Sequence, residues 1–213
     1  MSKLILENKL SGKDDIRDLE FIGNSDISFP EGALRIETKE GEAGLLSTGS
    51  FPSDVRIEWE FKPLSGDGRA ALIFAYKNAQ GDEAAEDILG SGSFFELSFY
   101  SRKGAVEKAF HVSKLTKNDA LQSFEVALGA DPLPNAGVTD EMNSQRLDDG
   151  GFWYKMAVIK NKDKVYFSVN DLDILGFVDD GMKCGDLLTG GRIGFKQEGK
   201  MSGEYRNLKV TWI

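Results

Sequence analysis

Residues 55–62 read Val-Arg-Ile-Glu-Trp-Glu-Phe-Lys, apolar and charged in strict alternation. Successive side chains of an extended strand point to opposite faces, so this stretch predicts a strand with one face in a core and the other in water. The alternation recurs at 94–100, where Phe95, Leu97 and Phe99 interleave with Glu96, Ser98 and Tyr100. Residues 70–76 are nearly all apolar, the pattern of a strand covered on both faces. Residues 152–160 and 164–170 flank Asn161-Lys162-Asp163 and predict a hairpin, with a further turn at Asn170-Asp171 leading into 172–178. Shorter strands are expected at 27–29, 33–38, 44–48, 108–115, 192–197 and 204–212, and Pro63 is expected to end the first one. The chain has 24 glycines and 5 prolines, and the glycines mostly punctuate these runs. Twelve to fourteen strands are expected, with one weak helical signal at 83–89 and no repeat or linker-like stretch. The prediction is one all-β domain over residues 1–213, a two-sheet antiparallel sandwich of the jelly-roll type.

The remaining composition narrows the chemistry. A chain of 213 residues buries about 70% of its unfolded surface and needs no disulfide or metal staple. It carries one Cys (Cys184) and one His (His111), which excludes the common zinc frames and an intrachain disulfide. Neither a GxxxxGK[ST] loop nor a GxGxxG turn after a strand is present, so nucleotide chemistry is not expected. The N-terminal apolar run stops at Glu7, too short for a signal peptide, and no run reaches the ~18 residues of a membrane helix. A cytoplasmic protein without membrane or nucleic-acid partners is the expectation, since a net charge of −9 disfavours polyanions.

Several segments resemble one family. They are VRIEWEFKPL (55–64), ALIFAYKNAQGDE (71–83), KAFHVSKL (108–115), ALGADPLP (127–134), WYKMAVIKNKDKVYFSVNDLDI (153–174), GGRIGFKQ (190–197) and GEYRNLKV (203–210). In this order they resemble the YesU-like family among the concanavalin A-like lectin/glucanase sandwiches. The resemblance implies two curved antiparallel sheets, a concave face that commonly holds carbohydrate, and neighbours that degrade pectin-like polysaccharides. It supplies no catalytic residues. The acidic segment 83–87 and the loop 135–149 depart from the family pattern.

Two constellations could carry chemistry. Glu58 and Glu60 leave one face of one strand, with Cα atoms ~7 Å apart, a spacing compatible with the carboxylate pair of a glycosidase. The alternative is a solvated strand face with Arg56 and Lys62 as cross-strand partners. The second set is Tyr100, Arg102, Lys103, Lys108 and His111, with Glu96 and Ser98 on the strand face that carries Tyr100. A lyase acting on a uronic acid must neutralise a carboxylate, remove a proton and protonate a leaving oxygen. Arg102 or Lys103 can do the first, and His111 or Tyr100 the others. Tyr76, Trp153 and Trp212 are candidate stacking rings, and Trp59 is expected in the core. Asp82, Glu83, Glu86 and Asp87 are able to ligate Ca²⁺, but no EF-hand spacing is present and no cofactor or metal is expected.

The resemblance, with the clustered polar groups, implies a carbohydrate-active protein for acidic, pectin-like oligosaccharides, working by β-elimination or hydrolysis. A non-catalytic sugar-binding protein and a homodimer formed through an exposed sheet are the alternatives. The charge is unevenly spread: residues 101–117 hold Arg102, Lys103, Lys108, Lys114 and Lys117 against Glu107 alone. A small acidic sugar held at one local site is therefore compatible with an acidic chain.

Overall fold

The computed structural model describes residues 2–78, 92–101, 109–116, 122–127, 153–182 and 185–213. Two long strands, β6 (Val55–Asn78) and β13 (Arg192–Trp212), pair antiparallel along almost their whole length. Each serves two sheets. In the first sheet, residues 55–61 of β6 pair with β10 (Tyr154–Asn161), followed by β11 (Lys164–Val169) and β12 (Leu172–Val178). On the far side of β13 lie β1 (Lys3–Asn8), β4 (Leu34–Thr38) and, beyond β4, β3 (Asp26–Ser28). In the second sheet, residues 68–78 of β6 pair with β7 (Gly92–Ser101), then β8 (Ala109–Thr116) and β9 (Gln122–Ala127). Residues 194–198 of β13 pair with β5 (Glu42–Ser47), and β5 with β2 (Leu19–Gly23).

Pro63 does not end its strand. Proline has no N–H for the ladder, and β6 tolerates it because the register with β13 shifts there, between the pairs Ser202–Ser65 and Gly203–Pro63. Gly203 also lets Phe61 come close, since a Cβ at 203 would lie 2.8 Å from that ring. The four strands expected at 55–64, 70–76, 192–197 and 204–212 are thus two continuous ones that pass from one sheet to the other. β1, β2 and β9 lie outside the expected set. β1 hides its period because a bulge at Ile5 puts Leu4 opposite Thr211 and Leu6 opposite Val210.

The core lies between the sheets. Ring pairs cross it: Phe61–Phe99 at 5.7 Å, Trp59–Phe195 at 6.4 Å and Phe95–Phe177 at 5.8 Å. Ile57, Trp59 and Phe61 are buried as their alternation predicts, each burial contributing roughly 1.5–3 kcal/mol. A smaller cluster of Ile22, Leu46, Ile73, Tyr76 and Phe94 covers part of the second sheet's other face, which explains the unbroken apolar run at 70–76. The hairpins fall where expected. Lys162 turns β10 into β11 with φ 54°, and Asn170 and Asp171, at φ 50° and 65°, make a two-residue type I′ connection to β12. The expected helical segment at 83–89, the loop 135–149 and Cys184 lie outside the described residues. Among the described residues no helix is long and apolar enough to cross a membrane, and no cluster of metal-ligating side chains occurs.

Candidate functional site

Alternation along β7 sends Phe95, Leu97 and Phe99 into the core and Glu96 and Ser98 to the opposite, outer face of the second sheet. Strand register then assembles the neighbours. One row runs Gly44, Lys196, Ala71, Ser98, His111 across β5, β13, β6, β7 and β8. The next row carries Glu42, Glu198, Arg69 and Tyr100. Positions 100 and 111 therefore lie beside Arg69 and Ser98 in the strand register. Arg102 and Lys103, and the acidic residues Asp82, Glu83, Glu86 and Asp87, lie outside the described residues.

The charged groups on this face form a ring of alternating sign. Arg69 Nη1 is 2.8 Å from Glu96 Oε1, and Lys196 Nζ is 3.6 Å from Glu96 Oε2. Lys196 Nζ also lies 2.6 Å from Glu198 Oε1, while Arg69 pairs with Glu198 and Lys196 with Glu42. Burial raises the Glu96 carboxyl above its ordinary range, against the pull of Arg69 and Lys196. Burial also opposes ionisation of Glu198, but Lys196 and Arg69 outweigh it and hold that group low. For Lys196, burial is outweighed by Glu96, Glu198 and Glu42, so its ammonium is held high. Neither oxygen of Glu96 makes an aligned hydrogen bond, and Ser98 Oγ, also fully buried, has no partner among the described residues. Such groups cost about 1–3 kcal/mol each, and in native proteins they call for an explanation.

Tyr76 is not an open stacking platform. It is 2% exposed, its ring lies 5.8 Å from that of Phe94, and a Cβ at Gly92 would lie 2.2 Å from its edge. It forms an apolar wall at one end of the face.

Glu58 and Glu60 lie on the other side of the molecule. They alternate with Ile57, Trp59 and Phe61 of the core, so they leave the outer face of the first sheet. Glu58 Oε1 accepts from Arg56 Nη2 at 2.9 Å. Glu60 Oε2 accepts from Arg206 Nε and Nη2 at 2.8 and 2.6 Å, and its Oε1 from Asn207 Nδ2 at 2.8 Å. Burial opposes ionisation of Glu60, but Asn207 and Arg206 hold it below its ordinary range. The Arg206 guanidinium sits 3.9 Å over the Trp153 ring, so one face of that ring is taken. Trp59 is in the core and Trp212 is 49% exposed. An open groove of about 250 Å³ runs past Glu58 and Glu60.

The two expected constellations thus lie on opposite faces. Sequence reasoning did not find Arg69, Lys196, Glu42 or Glu198. In Arg-Ile-Gly-Phe-Lys-Gln (192–197) Lys196 alternates with core residues just as a solvated lysine would, so only the strand register identifies its surroundings.

Residues 3–210 match the family described as Domain of unknown function (DUF1961). The uncharacterized protein YesU of Bacillus subtilis (strain 168) is 32% identical over 221 residues, covering 97% of this chain and 94% of that protein. A solved Bacillus subtilis protein of unknown function with a galectin-like fold superposes with a TM-score of 0.78 at 29% identity, over 99% of this chain and 97% of the other. The catalytic domain of a Thermotoga petrophila endo-1,3-beta-glucanase superposes with a TM-score of 0.65 at 13% identity, over 99% and 98%. At that identity the likeness concerns the fold, and it is the expected two-sheet jelly roll.

Proposed function

The chain belongs to the DUF1961 family, and on that premise we propose that it is a carbohydrate-active protein whose ligand engages the outer face of the second sheet. One observation carries the reading: a fully buried hydroxyl and carboxyl, Ser98 and Glu96, stand without aligned hydrogen bonds among the described residues, on a face the main core does not use. Both groups are sealed as the face stands, so in this reading the ligand displaces what covers them, and its hydroxyls, which both donate and accept, then satisfy both groups at once. The fold shared with a catalytic domain named for a β-glucan supports the same class of ligand. The finer reading is an acidic, pectin-like oligosaccharide cleaved by β-elimination or hydrolysis. In it Glu96 keeps a proton for the leaving oxygen, His111 or Tyr100 moves the second proton, and Arg69 and Lys196 stabilise charge that develops between them. A non-catalytic lectin-like role is the second reading. It is favoured by the pairing of Arg69 and Lys196 with carboxylates of the same face, which leaves neither free for a substrate charge.

The test is a panel of pectic, alginate and neutral β-glucan oligosaccharides, followed by calorimetry and by product analysis. Ser98→Ala is the informative variant, because removing a buried hydroxyl that has no partner among the described residues is not expected to weaken the fold. It is expected to lower affinity about tenfold with the melting temperature unchanged or raised. Turnover lost in His111→Ala supports catalysis; binding without products, unaffected by His111→Ala, selects the lectin-like role. If no member of the panel binds, the carbohydrate reading is wrong.

A further inference from the structure

The groove on the outer face of the first sheet is built with more care than a solvated strand face requires. Its floor is small: Ala157 and Ser168 lie opposite each other on β10 and β11, and Ala157 lies opposite Glu58 on β6. Arg56, Glu58, Glu60, Lys155, Asn207 and Lys209 stand around it. Its wall depends on a bulge in β13, where the register jumps between Arg206 and Lys209 and Asn207 takes φ 56°. Consecutive residues of a regular strand point to opposite faces. The bulge lets Arg206 and Asn207 reach the same carboxylate, so Glu60 is held from two sides. The Arg206 guanidinium is further fixed over Trp153.

The charges around this rigid wall are only partly used. Glu58 gives one oxygen to Arg56, and its other oxygen has no partner among the described residues. Lys209 makes no ion pair among the described residues, and Lys155 is only loosely held, 3.7 Å from the exposed Asp171. A free ammonium, a free carboxylate oxygen and the Ser168 hydroxyl thus converge on a space of about 250 Å³. That is below the ~300 Å³ at the lower end of drug-sized pockets, and suits a single ring. The Glu96 face differs, since Lys196 and Arg69 already meet carboxylates there.

We propose that this groove is a second ligand site, taking one carboxylate-bearing sugar unit whose carboxylate pairs with Lys209 and whose hydroxyls meet Glu58 and Ser168. It is independent of the reading of the Glu96 face. The test titrates the whole protein with galacturonic acid, and separately with galactose, following backbone amide resonances. Galacturonate is expected to shift the amides of Ala157, Ser168 and Lys209. Lys209→Ala, an exposed position that leaves the core intact, is expected to weaken its binding about tenfold. Ser98→Ala is expected to leave this binding unchanged, and raising the salt concentration to weaken it. The proposal is overturned if those amides do not shift, if Lys209→Ala binds within about twofold of the wild type, or if galactose binds as tightly as galacturonate. It is overturned equally if Ser98→Ala abolishes the shifts, for the ligand then sits on the opposite face.

Discussion

Glu96 and Glu60 are both strand carboxylates with core aromatics as sequence neighbours, yet their surroundings differ completely. Glu96 is sealed, and two partly buried cations face its two oxygens with poor hydrogen-bond geometry. Glu60 borders a groove, and three aligned donors fix it. The difference lies in where each strand sits. β7 lies between β6 and β8, so Glu96 is hemmed in by both neighbours and receives its partners from the next row, Lys196, and the row after it, Arg69. Glu60 lies beside the bulge of β13, which reaches over to meet it. A carboxylate is thus left desolvated and poorly bonded where the ladder is regular, and well bonded where the ladder is broken.

The largest expected contrast between the faces is in stability. Glu96→Ala leaves Arg69 and Lys196 facing a gap in a buried ring, and is expected to cost about 3–5 kcal/mol. Glu60→Ala removes a partner from the half-exposed Arg206, and is expected to cost about 1 kcal/mol or less. Urea unfolding of the two variants measures both. If Glu96→Ala costs no more than Glu60→Ala, the ring on the second sheet is solvated and the contrast disappears.

The second contrast is in pH dependence, and the two faces have opposite sign. The folded state raises the Glu96 pKa, so it binds that proton more tightly than the unfolded chain does. The contribution of Glu96 is fully present below about pH 4.5, its unfolded value, and is lost as pH rises through the folded value. Glu60 is held low, so its contribution is present above about pH 4.5 and is lost as pH falls. Each proton sets a slope of at most about 1.4 kcal/mol per pH unit. Stability curves from pH 3 to 8 for Glu96→Gln and Glu60→Gln are expected to diverge from the wild type in opposite directions. Parallel curves would show that the two groups share one environment.

The fold was largely legible because its signal is local. The alternation at 55–62 and 95–99 identified the residues that face the core, although Glu96 and Ser98 on the other side of β7 are buried rather than solvated, and the turn residues at 161–163 and 170–171 placed the hairpins. Pro63 misled because its missing N–H is accommodated by a register shift with a partner about 140 residues away in sequence, which no local window contains. The candidate site was legible only in part, for the same reason. Glu96, Ser98, Tyr100 and His111 were grouped through one hairpin, Phe94–Leu115 in register. Arg69, Lys196 and Glu198 arrive from strands distant in the chain, and each looks like an ordinary surface charge in its own segment. Glu58 and Glu60 were singled out separately, by their spacing along one strand, and the sandwich puts its core between them and the Glu96 set.

The smallest expected effect tests how far the ordering of the groove extends beyond Glu60. Arg206 gives two nitrogens to one Glu60 oxygen and is held against Trp153, so little side-chain freedom remains for the pair to lose. Lys155 and Asp171 are 3.7 Å apart and 70% and 79% exposed, so salt screens them and both side chains must be immobilised to meet. Double-mutant cycles are therefore expected to give a coupling of about 1 kcal/mol for Arg206 with Glu60 and about 0.3 kcal/mol or less for Lys155 with Asp171. Adding salt is expected to abolish the second and only trim the first. Equal couplings would mean that the bulge of β13 contributes no order to this face, and Lys155 would then be as much a part of the fixed wall as Arg206.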